Sequence, residues 1–160
     1  MNSFRNASIH KLLTKTQKII PMLIRIIYVS KASSSLPLEL KEILAVARKN
    51  NPSLGITGAM CLIDGAYLQY LEGEEAVVDV LYKKIEGDGR HSAPKVLERR
   101  SISARTFPSW AMALLTWNDE TKMLFRRFNP EAALDAYAVD PATIDSLIRA
   151  WAGSKNWMTV

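Results

Sequence analysis

Three side-chain amides stand where the surrounding pattern asks for apolar residues: Asn50, Asn51 and Gln69. A buried amide without partners costs about 1–3 kcal/mol. Three facing one interior therefore point to a ligand that brings its own donors and acceptors. Lys84 and Asp88 raise the same question. They fall within the apolar stripe of a predicted helix, Val77, Val80, Leu81 and Ile85, and desolvation opposes a charged pair on a buried face. The alternatives at these positions are ordinary. Asn50 and Asn51 fit a C-cap with a solvated neighbour, and Lys84 fits a salt bridge to Asp88 or a stem lying along apolar surface.

The elements that must position these groups are legible from periodicity. Leu23–Ser30 reads as a strand with Ile24, Ile26 and Tyr28 on one face and Arg25, Ile27 and Val29 on the other. Pro37 suits a first helical turn, and Leu40, Ile43, Leu44 and Ala47 form a helical stripe that continues onto Asn50 and Asn51. Both amides are therefore expected at the inward C-terminal end of that helix, which Asn51 and Pro52 should stop. Ile56–Ile63 and Ala66–Leu71 flank Asp64-Gly65, a hairpin signal, with Tyr67, Gln69 and Leu71 on one face. The second helix comes next. Lys95–Ser103 and Ala111–Trp117 are expected strands, joined by a loop holding Phe107, Pro108 and Trp110. Asp119–Phe128, Pro130–Tyr137 and a segment opening at Asp140-Pro141, striped by Ile144, Leu147, Ile148 and Trp151, are expected helices.

Composition narrows the function. At 160 residues and 48% hydrophobic content, the chain suits one domain with a sizeable core. No apolar run approaches the ~18 residues of a membrane span. Two histidines and the lone Cys61 offer no metal-ligand spacing, and no Walker or Rossmann glycine loop is present. Cys61 fits a core position in a protein of a reducing, cytoplasmic compartment. The net charge of +5 is concentrated in residues 1–21, where Arg5, Lys11, Lys15 and Lys18 meet no acid, leaving 17 bases against 16 acids. A nearly neutral body with a basic amphipathic leader argues against nucleic acid as the main ligand.

The order β-α-β-β-α-β-β predicts an α+β sandwich of ferredoxin-like type. Right-handed crossovers put both helices on one face of the sheet, and the additional C-terminal helices are expected on the face left bare. Asn50, Asn51, Lys84 and Asp88 would then converge above Tyr28 and Gln69. Such an apolar slot with a polar rim suits a flat heteroaromatic ring, flavin or nucleobase-like.

The chain also resembles a known family. Asn50-Asn51-Pro52 with Gly55-Ile56-Thr57-Gly58, Gln69-Tyr70-Leu71-Glu72-Gly73, Asp88-x-Arg90-His91 and Phe107-x-x-Trp110-x-Met112 stand in the order found in BLUF proteins, the flavin-binding blue-light sensors. The resemblance runs from about Met22 to Leu115. It implies FAD, with its isoalloxazine between the two helices and Asn50, Asn51, Gln69, Lys84, Asp88 and Arg90 as its contacts. Lys84 departs from the arginine of many members, keeping the charge and losing the planar fork. The resemblance further implies that Tyr28 is the electron and proton donor. Gln69 is the amide that rearranges, and Trp110 and Met112 relay the signal. His91 fits a surface histidine as well.

The expected division is a leader (1–21), a flavin-binding domain (22–117) and a C-terminal helical extension (118–160). The chain is expected to be a non-enzymatic photoreceptor whose output is a downstream signalling protein or a homo-oligomer. The tail, with Phe125, Phe128 and Trp151, is the expected output surface. Two rival readings are an acylphosphatase-like hydrolase using Arg25, Arg90 and Asn50, and an interaction protein whose leader docks a membrane or partner.

Overall fold

In a computed structural model, which describes residues 20–33 and 36–159, the strand pattern of the first segment is realised on both faces. Strand β1 (Leu23–Ala32) is followed by helix α1 (Leu36–Leu54), the hairpin β2 (Thr57–Ile63) and β3 (Ala66–Glu74), helix α2 (Glu75–Glu86), and β4 (His91–Ser101). A short β5 (Ala113–Leu115), α3 (Asp119–Phe128), three 3-10 turns, α4 (Ile144–Ala152) and β6 (Trp157–Met158) complete the chain. The strands form one sheet in the order β4-β1-β3-β2-β5-β6. The first four make the antiparallel arrangement of a ferredoxin-like fold. β5 adds parallel to β2, and β6 adds antiparallel to β5. Most of the expected leader lies outside the described residues.

Period-2 alternation sorts the core into two layers. Ile24, Ile26 and Tyr28 pack with Ile43 and Leu44 of α1, Val78 of α2, and Met60, Tyr67 and Leu71 of the hairpin. Their strand neighbours Ile27 and Val29 point the other way, into a layer with Cys61, Leu68 and Tyr70 that Phe125, Ile144, Leu147, Ile148 and Trp151 cover. The tail thus occupies the face that α1 and α2 leave bare. Phe125 and Trp151 are 0% and 1% exposed, so they serve this layer rather than an outer surface. Burial also pushes the Cys61 thiol up, as befits a core cysteine.

Several local expectations need correction. Helix α1 does not stop at Pro52: the proline falls in the last turn, where its missing N–H forfeits one helical hydrogen bond and the helix runs on for two more residues. The helix ends at Gly55, whose φ of 65° only glycine adopts without strain. Gly55 N donates to Pro52 O at 3.2 Å and Ile56 N to Asn51 O at 3.0 Å, the paired bonds of a left-handed helix terminus. In α2 the buried valine is Val78, while Val80 is 57% exposed. The region 130–137 is not a helix but two 3-10 turns, Pro130–Ala132 and Ala136–Ala138. Ala133 and Leu134 between them adopt positive φ, which breaks helical propagation. Strand β5 spans only Ala113–Leu115; just before it the Ala111 carbonyl accepts from Asn51 and the Met112 carbonyl from Arg48. The Asp64-Gly65 turn forms as expected, with φ of 43° and 85°.

Candidate functional site

Tyr28 and Gln69 are directly opposed across the β1–β3 ladder. Directly opposite side chains on one sheet face lie within contact range. The Tyr28 hydroxyl donates to Gln69 Oε1 inside the protein, and the Tyr28 ring meets the edge of Tyr82 from α2 at 5.0 Å. Burial, reinforced by the neighbouring Tyr82 and Asp88, pushes the Tyr28 phenol well above its ordinary range. The hydroxyl is therefore a standing donor. Its bond fixes the amide with oxygen toward β1 and nitrogen toward Met112, whose Sδ lies 3.9 Å from Gln69 Nε2. Sulfur is a weak acceptor, so most of the donor capacity of this amide is uncommitted.

That capacity faces a cavity between the helices. Its walls are Ile43, Val46 and Ala47 from α1, and Leu81 and Ile85 from α2. Gln69 and Leu71 form the floor, Met112 closes one side, and Asn51, Asp88, Arg90 and His91 supply the polar edge. A second cavity shares Val46, Leu81, Ile85 and Asp88 with the first and adds Asn50, Ser53, Leu54 and Lys84 at the mouth. Asn51, 3% exposed, donates from Nδ2 to Ala111 O at 2.7 Å. Among the described residues its Oδ1 is left to accept from the cavity. Arg90 grips Asp88, with Nη2–Oδ2 at 2.5 Å and the backbone N–H donating to Oδ1 at 3.0 Å. The guanidinium holds the Asp88 carboxyl below its usual range, against an opposing push from burial. At the far edge the His91 ring nitrogen lies 2.9 Å from Ser30 Oγ, and burial lowers the pKa of the imidazole.

Of the six expected contacts, Asn51, Gln69, Asp88 and Arg90 line this slot, while Asn50 and Lys84 line only the adjoining cavity. Asn50 is exposed at the mouth rather than inward, because the step of 100° per residue lets only Asn51 take the inner position. Lys84 is also exposed at the mouth, and the partner of Asp88 is Arg90 rather than Lys84. Met112 is 2% exposed and belongs to the slot face. Trp110 lies on the opposite face, stacked on Phe107 at 5.3 Å and tilted against Trp157 at 5.2 Å. Sequence reasoning missed Glu72 and Glu39, which are 0% and 4% exposed. Glu72 could have been noticed as a carboxylate at an inward position of the β3 alternation. Among the described residues no cluster of ligating side chains could hold a metal ion. No described helix is long and apolar enough to cross a membrane.

The family model for sensors of blue light using FAD matches residues 23–113, the stretch from β1 to the start of β5 that builds this slot. The chain belongs to the BLUF family. FAD is therefore its cofactor, and the facing apolar walls, the polar edge and the uncommitted Gln69 and Asn51 groups fit a planar ring with a hydrogen-bonding edge. Among sequence relatives, the beta subunit of a photoactivated adenylate cyclase from Euglena longa is 28% identical over 141 residues, covering 83% of this chain. The alpha subunit of the corresponding cyclase from Euglena gracilis is 34% identical over 88 residues, 54% of this chain. The BLUF chain spans only 16% and 9% of those two proteins. Among solved structures, BlsA in its photo-activated state superposes with a TM-score of 0.78 at 28% identity, covering 84% of this chain and 98% of BlsA. BlrB, described as a BLUF protein in its dark state, gives a TM-score of 0.66 at 27% identity, covering 82% of this chain and 96% of BlrB.

Proposed function

We propose that this BLUF chain stores a light signal as a rearranged hydrogen-bond pattern around Gln69, with Tyr28 as the donor that triggers it. The observation that carries the reading is the bond from the Tyr28 hydroxyl to Gln69 Oε1, beside an amide nitrogen held only by sulfur. When bound, FAD supplies a blue-light-activated acceptor for an electron and a proton. Tyr28, neutral and buried, can release both toward the slot. An amide carries two donors and an acceptor on one side chain, so rotating or retautomerising Gln69 reverses what it presents on each side. Asn51, Asp88 and Arg90 hold the ring edge from within, and Asn50 and Lys84 at the mouth bear on the parts nearer solvent.

The rearrangement reaches the rest of the molecule through Met112, the direct neighbour of Gln69. From there it passes to Trp110 and the tail layer, as a population shift between two packings. We read residues 22–117 as the sensing unit and 118–160 as the extension that carries the output. The output is taken to be non-enzymatic: light-dependent binding to a downstream signalling protein or to a second copy, in the cytoplasm. The acylphosphatase-like reading is disfavoured because its arginines are engaged, Arg25 with Glu98 and Asp145 and Arg90 with Asp88.

The test is the colour and the light-minus-dark spectrum of the purified protein. The expectation is flavin absorption with a reversible red shift under blue light. A protein that carries flavin and shows no reversible shift would refute the photochemical role of the pair.

A further inference from the structure

The loop between β4 and β5 carries both Trp110 and Met112, and its residues 105–107 are held around one buried carboxylate. Glu72 is 0% exposed and sits on β3, three residues beyond Gln69 and on the opposite sheet face. Its Oε1 accepts from Phe107 N at 2.6 Å and from Thr57 Oγ1 at 3.2 Å. Its Oε2 accepts from Thr106 N at 2.8 Å and from Tyr70 Oη at 3.1 Å. Each carboxylate oxygen thus holds one backbone N–H of the loop and one hydroxyl. Arg105 grips the same place from outside: Nη1 donates to Thr57 Oγ1 at 2.8 Å and to Glu72 O at 2.9 Å, and Nη2 to Gly55 O at 2.6 Å.

A buried carboxylate is a costly core residue, and an apolar side chain would fill the same space without desolvation. Its four acceptor bonds explain why it is kept. The backbone so fixed leads straight to the signal residues. Phe107 stacks on Trp110 with ring planes 18° apart, Trp110 O accepts from Gly58 N at 3.0 Å, and Met112 then meets Gln69. Neither Glu72 nor Arg105 lines the slot.

We propose that Glu72 and Arg105 are positioning residues of the light response. They form a two-sided clamp on residues 105–107 that sets how firmly Trp110 and Met112 hold their faces, and so how long the rearranged state lasts. The proposal rests on the reading of Gln69 as the switching amide.

The test uses the flavin-loaded full chain with Glu72→Gln and, separately, Arg105→Met. Glutamine keeps the volume but must turn its NH₂ toward either Thr106 N–H or Phe107 N–H, replacing one bond with a donor–donor contact. Flavin content and the dark spectrum should match wild type in both variants. Dark recovery after blue light should accelerate roughly tenfold, the consequence of losing a bond to a charged group. Hydrogen exchange in a peptide covering 103–112 should rise in the dark, while α2 peptides keep their wild-type rates. If Glu72→Gln does not fold, Arg105→Met carries the test, since Arg105 is only half-buried.

Recovery at the wild-type rate overturns the proposal, and raised exchange with unchanged recovery makes the clamp purely structural, which overturns it as well. A wild-type protein without any light-induced shift would instead refute the photochemical reading, and the proposal with it.

Discussion

Replacing Tyr28 by phenylalanine isolates one hydroxyl. The ring remains, and so does its edge contact with Tyr82 at 5.0 Å. The loss is the donor to Gln69 Oε1, in a place where Tyr28 is 0% and Gln69 3% exposed. An orphaned buried acceptor costs about 1–3 kcal/mol. For a chain of this size each kcal/mol shifts the melting temperature by roughly 2–4 °C, so Tyr28→Phe should lower it by roughly 2–12 °C. Flavin should stay bound, since the slot walls and polar edge are unchanged. The light-minus-dark red shift should vanish, because phenylalanine has no proton to give and is a far poorer electron donor. With the hydroxyl gone nothing fixes which end of the Gln69 amide faces β1, so the dark flavin spectrum should also broaden. The assay is absorption before and after blue light, paired with a thermal melt followed by flavin fluorescence. A variant that forms the shifted state with normal yield refutes the electron-donor argument. One that folds but loses its flavin makes the pair structural.

The same geometry sets three other outcomes. Asn51→Ala should weaken flavin binding far more than Glu42→Ala, since Asn51 is buried at the slot edge and Glu42 is exposed; equal affinities by fluorescence titration would contradict the assigned edge. All five tyrosines have raised pKa values, Tyr70 and Tyr82 pushed up to about 12 and the others also upward, chiefly by burial. Their contribution to stability is therefore complete below the unfolded value of about 10 and is lost as pH climbs through the folded values. Phenolate absorbance should thus appear late and together with alkaline unfolding, and a tyrosine ionising near pH 10 in the folded protein would count against this. Truncation before Asn129 should yield an aggregating protein, because it strips Ile144, Leu147, Ile148 and Trp151 from the sheet layer around Ile27 and Tyr70; a soluble truncate with a normal melt would show that layer to be dispensable.

Tyr28, Gln69 and their faces were legible because a strand has a strict period of two and Asp64-Gly65 fixes the hairpin register. Their direct opposition required the strand order and the β1–β3 register as well, which no turn between those strands fixes. A helical stripe defines a face about 100° wide, which cannot separate adjacent residues at its edge, so the pattern places Asn50 inward beside Asn51 although it is exposed. The run past Pro52 depended on a backbone motif closed by Ile56, outside the helix itself. Strand β6, two residues long, has no periodicity to detect and exists because Leu114 and Leu115 offer an open edge. The Asp88–Arg90 pair was hidden because it forms across a turn, where periodicity is silent.

The way Tyr28 meets Gln69 bears on how such a sensor can be tuned. Their separation is set by the hydrogen-bonded ladder of two central strands rather than by packing in the slot. The walls from α1 and α2, and the mouth bearing Asn50 and Lys84, can change without moving the phenol relative to the amide. The walls of the slot and the spacing of Tyr28 and Gln69 are thus separately adjustable. A change at the mouth, arginine for lysine at position 84 included, leaves the spacing of phenol and amide intact.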